Sequence, residues 1–281
     1  MRKLGECQQL RGLINPVNAI RGIWKYRDLI LQFVQRSIQS RYKGTMMGLV
    51  WMVVTPLMML SVYTFVFSVI FKARWGAEFG DSKVAFALIL FCGIAVFNIF
   101  SESIQSAVTA IAAHPNYVKK VVFPLEVLPV VAVLSAVFFG LVWLGILTAG
   151  VLLCMQKICL TLIGLPFVMI PLFLFCCGMA WFMASLGVYV RDLGHVTGVI
   201  LQILFFLTPI CYGLDVVPEP YQSILRYNPL TVLIQTARLA VIYNRWPDWA
   251  SLGWVTVLSL AVFQMGYFWF MKTKRGFADV L

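Results

Sequence analysis

Residues 46–71 read MMGLVWMVVTPLMMLSVYTFVFSVIF and contain no charged side chain. A helix needs about 20 apolar residues to cross the hydrocarbon core of a bilayer, because the core is about 30 Å thick and each residue advances the helix by about 1.5 Å. This stretch is long enough. It therefore predicts a membrane-spanning helix.

Five further apolar stretches follow along the chain. They cover residues 84–101, 127–153, 166–190, 194–214 and 249–271. Apolar residues make up 61% of the 281 residues and charged residues only 12%, which leaves too few charges to cover a soluble surface. The sequence predicts an all-α polytopic membrane protein with six spans. In this interpretation residues 1–23 are an N-terminal tail, residues 24–271 are the transmembrane domain and residues 272–281 are a C-terminal tail.

Lys and Arg residues orient the predicted spans. An even number of spans places both termini on one side of the membrane. If that side is the cytoplasm, 15 of the 22 Lys and Arg residues lie inside and seven lie outside. The positive-inside rule therefore predicts that both tails are cytoplasmic, in a bacterial inner membrane. This excess also accounts for the net charge of +11 without nucleic acid as a partner.

Two segments on the predicted cytoplasmic side are amphipathic rather than spanning. Residues 24–39 alternate apolar and basic side chains at helical spacing, which predicts an interfacial helix that either anchors the chain or presents a lipid-linked substrate. The second span is predicted to continue as a helix beyond Ser101 and to stop before Pro115. This continuation places Glu102 at the inner interface, where a carboxylate costs little. A short polar turn follows at residues 114–120.

The segment between the fifth and sixth predicted spans is too interrupted to cross the membrane again. Pro218 and Pro220 precede one short apolar piece, and Pro229 suits the first position of a second helix. Arg238 interrupts the apolar run that follows. We expect a pair of short re-entrant helices on the outer side.

The sequence lacks the common motifs of catalytic, nucleotide-binding and metal sites. The chain has no GxxxxGK[ST] motif for nucleotide phosphates, no GxSxG, no HExxH and no CxxC pair. No close pair of acidic residues suits general acid–base catalysis. We therefore expect no catalytic, cofactor or metal site on this chain. The absence of ion-coupling charges within the spans disfavours a secondary transporter, so the energy for transport would come from a partner.

Five short motifs occur in an order that resembles a known family. The first is RYKG at 41–44, followed by GLVW at 48–51 and PL at 56–57. The others are FPLEVLP at 123–129, YVRDL at 189–193, TPI at 208–210 and YNPL at 227–230. In order and spacing, over about residues 25–275, they resemble the type-2 ABC permeases that export O-antigen, teichoic acid and capsular polysaccharides.

The resemblance implies a homodimer that binds two copies of a cytoplasmic ABC ATPase subunit. It also implies a polyprenyl-diphosphate-linked glycan as the cargo, which would pass through a channel between the protomers. The usual coupling surfaces are the amphipathic entry helix and the loop after the second span. The corresponding candidate residues here are Arg27, Arg36, His114, Asn116, Tyr117, Lys119 and Lys120.

Two further sets of residues are candidates for contact with the cargo. Arg41 and Lys43 lie at the predicted mouth of the first span, where cations would bind a diphosphate head or would serve only as flanking charges. A set of aromatic residues could stack on sugar rings along a pore, or could contact lipid and neighbouring helices instead. The members of this set are Trp51, Tyr63, Phe205, Phe206 and Tyr212.

Two rival interpretations remain open at this point. The same architecture could export a drug or a small lipid. Alternatively, the chain could be a membrane-embedded glycosyl- or phosphotransferase, in which case an acidic residue such as Glu102 or Asp192 would be essential for turnover.

Overall fold

The computed structural model describes residues 16–70, 82–119, 123–156 and 160–280, and these residues form helices and turns with no strand among them. The α-helices are α1 (Pro16–Lys25), α2 (Arg27–Tyr42), α3 (Trp51–Thr64), α4 (Lys83–Thr109), α5 (Pro115–Lys119), α6 (Val127–Met155), α7 (Leu165–Tyr189), α8 (Leu193–Leu207), α9 (Glu219–Arg226), α10 (Pro229–Val241), α11 (Trp249–Thr273) and α12 (Phe277–Val280). Short 3-10 turns lie at Gly48–Val50, Leu160–Gly164, Leu214–Val216 and Lys274–Gly276, and Phe65–Ile70 is a π-helical turn.

Four helical stretches of the described chain are long and apolar enough to cross a membrane. They are Lys83–Thr109, Val127–Met155, Leu160–Tyr189 and Trp249–Val280. They coincide with four of the predicted spans, and α4 continues past Ser101 and ends before Pro115 as the sequence indicates. The chain is thus an all-α membrane protein. The number of crossings, six, stays a prediction, because the two other predicted spans contain shorter apolar helices.

The helix α8 is shorter than the predicted span at residues 194–214. It ends at Leu207, and Thr208 takes an extended backbone conformation with φ −93° and ψ 136°. Proline is the physical reason, because Pro209 has no N–H to donate and disfavours a helical conformation in the residue before it. For the predicted span at 46–71, helical structure runs from Gly48 to Ile70 in three successive segments, and residue 71 lies outside the described ranges.

The predicted amphipathic helix at residues 24–39 is divided into two. The backbone breaks at Tyr26, so that α1 ends at Lys25 and α2 begins at Arg27. Ile30 and Val34 of α2 are buried in the core, and α2 packs against α6.

The core is built around α4, which packs against α6, α7, α8 and α10. Helices approach closely where glycine replaces a side chain, as membrane helices commonly do. At the crossing of α7 and α11, a Cβ atom on Gly266 would collide with the backbone of Gly178. The side chain of Ile99 on α4 likewise occupies the space that a Cβ atom on Gly140 of α6 would need.

The segment between α8 and α11 contains the two predicted short helices, and Pro229 begins the second. The Asn228 side chain caps α10 by accepting a hydrogen bond from the Leu230 N–H at 3.0 Å. Asp248 caps α11 in the same way, and its hydrogen bond from the Ser251 hydroxyl lowers the pKa of the carboxyl group.

Arg238 is not an outer-loop charge, as its position in the sequence suggested, but is fully buried. Its guanidinium donates to the carbonyl oxygens of Ile89 at 3.2 Å, Pro209 at 3.0 Å and Ile210 at 2.8 Å. Where a helix ends at membrane depth, carbonyl groups need donors from elsewhere in the protein. Arg238 supplies them, and it thereby joins α10 to α4 and to the broken end of α8.

A short C-terminal segment closes the opposite end of the bundle. Lys274 pairs with Glu126 at 2.5 Å, and the Trp181 indole donates to the carbonyl oxygen of Glu126 at 3.0 Å. Phe277 is fully buried, with its ring 5.5 Å from that of Phe270. The helix α12 consequently contacts both α5 and α7.

Candidate functional site

A cavity of about 1260 Å³ lies between α2, α3, α4, α6 and α8. This volume exceeds that of most small-molecule pockets, so it can hold part of an extended ligand. The residues predicted from sequence that line it are Arg36, Arg41, Trp51, Tyr63, His114, Tyr117, Phe205 and Phe206. The fold therefore brings candidates from the entry helix, the coupling loop and the pore into one space.

An ion pair lies at the charged end of the cavity. Arg41 of α2 donates to the carboxylate of Glu102 on α4, and its guanidinium lies over the Phe139 ring of α6, 4.2 Å from the centroid. The Arg41 side chain is 44% exposed and the Glu102 side chain 27% exposed. This contact joins three helices. The Glu102 carboxylate also offsets much of the positive charge of Arg41. The sequence alone suggested that this charge was available to bind an anion.

The other predicted cation at this mouth lies elsewhere. Lys43 is exposed and does not line the cavity. Arg36, one and a half turns before Arg41 on α2, does line it and is exposed. The tyrosine beside the ion pair, Tyr42, has a raised pKa because burial disfavours the phenolate, although the charge of Arg41 opposes this effect. Tyr42 is consequently a neutral hydroxyl in the cavity wall.

A polar stripe runs along the wall that α4 contributes. Asn98, Glu102, Gln105 and Thr109 all line the cavity, and their spacing of three and four residues places them on one face of the helix. At about 1.5 Å per residue the stripe is about 16 Å long. The Gln105 amide also donates to the carbonyl oxygen of Gly194 at 3.1 Å, which fixes α4 against the start of α8.

Aromatic rings form the other part of the lining. The Phe205 ring lies 6.1 Å from Tyr63, 5.4 Å from Phe206 and 5.3 Å from Phe97. Three of the five predicted pore aromatics are thus in one cluster. Phe97 is a member that sequence reasoning missed.

The two remaining aromatic candidates differ in their placement. Trp51 lines the cavity, outside the ring cluster. Tyr212 does not line it, because its hydroxyl donates to the carbonyl oxygen of Phe206 at 3.0 Å, beyond the end of α8.

A second aromatic cluster connects the predicted coupling segments. The Tyr117 ring stacks on His114 at 5.5 Å and on Phe123 at 4.7 Å. Phe33 of α2 lies 5.9 Å from Tyr117 and 5.7 Å from Phe123. The entry helix α2 and the loop that contains α5 are therefore in direct contact, which the sequence did not reveal.

The other coupling candidates lie on the surface. Asn116, Lys119 and Arg27 are exposed, and Arg27 lies 3.7 Å from Asp28. Lys120 lies outside the described residues. Exposed polar side chains on α5, held from behind by the aromatic cluster, form a surface that a protein partner can reach.

Some of the cavity residues that were not predicted have a recognisable pattern in the sequence, and others have none. The spacing of Asn98, Glu102, Gln105 and Thr109 could have been read from the sequence as one polar face. Gln202 also lines the cavity, and it is a single polar residue within the apolar stretch of α8. The pairing of Arg41 with Glu102 has no local signal, because 61 positions separate the two residues.

No metal site accompanies these groups in the described ranges, where no three His, Cys, Asp or Glu side chains lie close enough to hold an ion. The cavity thus offers a charged end, a polar wall and an aromatic cluster. These groups suit binding and passage of a ligand.

Comparison with known proteins adds a family and several relatives. The model of the ABC-2 type transporter family matches residues 28–242. The chain is 26% identical over 267 residues to the O-antigen export system permease protein RfbA of Myxococcus xanthus, covering 94% of this chain and 99% of that protein. It is 25% identical to an O-antigen export system permease protein RfbA of Klebsiella pneumoniae, over 90% of this chain and 95% of that protein. It is 23% identical to the polysialic acid transport protein KpsM of Escherichia coli, over 82% of this chain and 88% of that protein.

Proposed function

This chain belongs to the ABC-2 type transporter family, and on that premise we propose that it is the membrane-spanning permease subunit of an ATP-driven polysaccharide exporter. Its cargo would be a polysaccharide attached to polyprenyl diphosphate, taken up from the inner face of the bacterial inner membrane. Two of the similar proteins are named for O-antigen export and a third for polysialic acid transport, which supports this class of cargo. The cavity between α2, α3, α4, α6 and α8 is the observation that carries the proposal.

The proposed topology has six crossings with both termini in the cytoplasm. The segment Gly48–Ile70 is long enough for the first crossing at about 1.5 Å per residue. The fifth crossing would consist of α8 and the non-helical residues after it, whose carbonyl groups accept hydrogen bonds from Arg238. The helices α9 and α10 would lie in the outer leaflet, where the backbone of the intervening turn is satisfied by caps such as Asn228.

The chemistry of the cavity matches the two parts of such a cargo. Arg36 and Arg41 would face the diphosphate at the cytoplasmic end, where guanidinium groups bind phosphate oxygens in pairs. The ring cluster of Tyr63, Phe205 and Phe206 would contact the apolar faces of sugar rings further along. A drug or small apolar lipid would make no use of the polar stripe on α4, which favours a hydroxylated cargo over that alternative.

A second copy of the chain would complete the pathway. Both α3 and α8 line the cavity on one side and present exposed apolar side chains on another. These exposed side chains are Leu57, Met58, Val62, Ile200, Ile203 and Leu207. A homodimer that pairs these faces would place two cavities side by side and enclose a channel between the protomers.

The energy would come from a separate ABC ATPase subunit on the cytoplasmic side. The surface of α5, with Asn116 and Lys119 exposed, would receive that subunit. Tyr117 and Phe33 would transmit its movement to α2, which carries Arg36 and Arg41 along the cavity. ATP hydrolysis by the subunit docked on α5 would thus act on the charged end of the cavity.

The cargo is tested by depleting the protein in its own host and measuring lipid-linked glycan on each side of the inner membrane. We expect the glycan to accumulate on the inner face and to disappear from the cell surface, and expression of the wild-type chain to restore export. Surface glycan that is unchanged after depletion, together with increased sensitivity to a drug, would contradict the polysaccharide assignment and support the alternative cargo.

The partner is tested by co-purification of the cognate ATPase with variants of the α5 surface. Asn116→Trp should abolish co-purification, because the added ring would block the proposed docking surface. Tyr117→Ala should retain the ATPase but lose export per ATP hydrolysed, because it cuts the aromatic cluster that joins α5 to α2. Arg226→Ala, on the distant helix α9, is the matched control and should leave both properties unchanged.

A further inference from the structure

Two amide side chains line the cavity from neighbouring helices. Asn98 belongs to α4 and Gln202 to α8, and both line the cavity. The two helices are antiparallel, because Gln105 contacts Gly194 whereas the Phe97 ring packs on Phe205. This register places Asn98 and Gln202 at the same level along the cavity.

Both amides lie at a depth where polar groups are costly. Asn98 follows the start of α4 at Lys83 by 15 residues, which corresponds to about 22 Å along the helix. Gln202 lies within α8 between Leu201 and Ile203. Neither amide has a hydrogen-bond partner within the described chain. Gln202 is exposed and Asn98 is partly exposed, so both amides can bond to water or to a ligand in the cavity, which offsets the cost of a polar group at this depth.

The surrounding charges select the kind of ligand. Glu102 lies one turn from Asn98 on the same face of α4, and its pairing with Arg41 leaves little net positive charge there to attract an anionic group. An amide carries two N–H donors and a carbonyl acceptor, which suits hydroxyl groups that both donate and accept. The partly exposed rings of Tyr63 and Phe205 lie beside this level and can cover the apolar side of such a ligand.

We propose that Asn98 and Gln202 form a hydroxyl-binding station for a neutral, polyhydroxylated chain, separate from the cationic end that would bind a diphosphate. The proposal rests on the proposed export function and specifies how the glycan part of the cargo is recognised. The amides donate to and accept from sugar hydroxyls as the chain passes, while the aromatic cluster contacts the ring faces. The station would bind the glycan, and Arg36 and Arg41 would bind the diphosphate of the lipid carrier.

The test replaces the two amides by leucine, singly and together, in the assembled permease–ATPase complex. We expect glycan export to fall about 3- to 10-fold in Asn98→Leu and in Gln202→Leu, the range for the loss of a neutral hydrogen bond, and further in the double variant. ATPase co-purification and basal ATP hydrolysis should be unchanged. Gln32→Leu is the control, because Gln32 is an exposed amide on α2 that does not line the cavity, and this variant should export normally.

A binding measurement separates the station from the export function. A soluble oligosaccharide of the exported repeat, without lipid, is the probe, and Trp51 and Trp143 in the cavity lining provide intrinsic fluorescence. The wild-type complex should give a saturable change that is weakened in the double leucine variant. If size-exclusion profiles show that this variant does not assemble, Asn98→Ala with Gln202→Ala replaces it.

The outcomes distinguish the two proposals. Normal glycan export and unchanged oligosaccharide binding in the double variant would overturn the hydroxyl-binding station and leave the export function intact. A wild-type complex that exports no glycan would overturn the function and the station together. Reduced export with unchanged binding of the free oligosaccharide would also overturn the station, because the amides would then act on packing rather than on the sugar.

Discussion

Replacing Arg238 by methionine removes three hydrogen bonds from the interior of the protein. The guanidinium is fully buried and donates to the carbonyl oxygens of Ile89, Pro209 and Ile210 at 2.8–3.2 Å. Methionine has a similar length but no donor, so three buried carbonyl groups would be left without this partner. The Ile89 carbonyl keeps its hydrogen bond within α4, so the carbonyl groups of Pro209 and Ile210 become unsatisfied. An unsatisfied buried polar group costs about 1–3 kcal/mol, which gives a gross loss of roughly 2–6 kcal/mol.

The net loss is smaller because methionine also removes a buried charge. Transferring a guanidinium into the protein interior costs several kcal/mol, and that cost disappears in the variant. We therefore expect Arg238→Met to lower the free energy of unfolding by about 2–4 kcal/mol. For a chain of this size each kcal/mol lowers Tm by about 2–4 °C, so the expected decrease is about 4–16 °C.

The assay is thermal unfolding of the purified protein in detergent, followed by circular dichroism. Arg226→Met is the control, because Arg226 is an exposed arginine on α9, and its Tm should not change. Gly93→Ala provides an independent check, since a Cβ atom there would lie 2.7 Å from the Arg238 Nη2 atom and should displace the guanidinium. A Tm for Arg238→Met equal to that of the control would refute the structural role assigned to this residue.

Three further predictions concern other contacts of the described chain. The Arg41–Glu102 pair is partly exposed, so a double-mutant cycle with Arg41→Gln and Glu102→Gln should give a coupling of about 0.5–1 kcal/mol that declines with salt, and a coupling of zero would contradict the pair. Phe277→Ala should lower stability by about 3–4 kcal/mol in chemical unfolding, because the ring is fully buried, and a loss below 1 kcal/mol would show that the C-terminal segment is not docked. Gly266→Val should prevent the close approach of α11 to α7 and give aggregated protein on size exclusion, whereas Gly253→Val, which has open space around its Cβ position, should elute normally.

The helices with the clearest apolar pattern were predictable from the sequence. Residues 84–101 and 127–153 are apolar on all sides, and the structure has α4 and α6 there. Two helix boundaries at prolines were predictable as well, since Pro229 begins α10 and α4 ends before Pro115. The helix α8 ends at Leu207, although the apolar run continues beyond Pro209, because the proline disfavours a helical conformation in the residue before it.

The site was predictable only as a set of residue types. Aromatic residues in the spans and cations at the mouth of the first span marked the region, and Tyr63, Phe205 and Arg41 do line one cavity. Tyr212 satisfies the same criteria but lies outside, because side-chain direction at a broken helix end is not encoded in hydropathy. The contact between Phe33 and Tyr117, which joins the two coupling segments, was also beyond reach of the sequence.

The sequence by itself determined that this is a helical membrane protein, because apolar length, proline and charge act locally through the backbone and the bilayer. Its ordered motifs separately indicated the type-2 ABC permease family by resemblance. The tertiary structure alone decided that Arg238 is buried among carbonyl groups and that Glu102 neutralises Arg41. It also decided that Asn98 and Gln202 line the same cavity at the same level. These pairings depend on the rotation and register of helices that are distant in the chain, and helix packing sets both through the shapes of the contacting side chains.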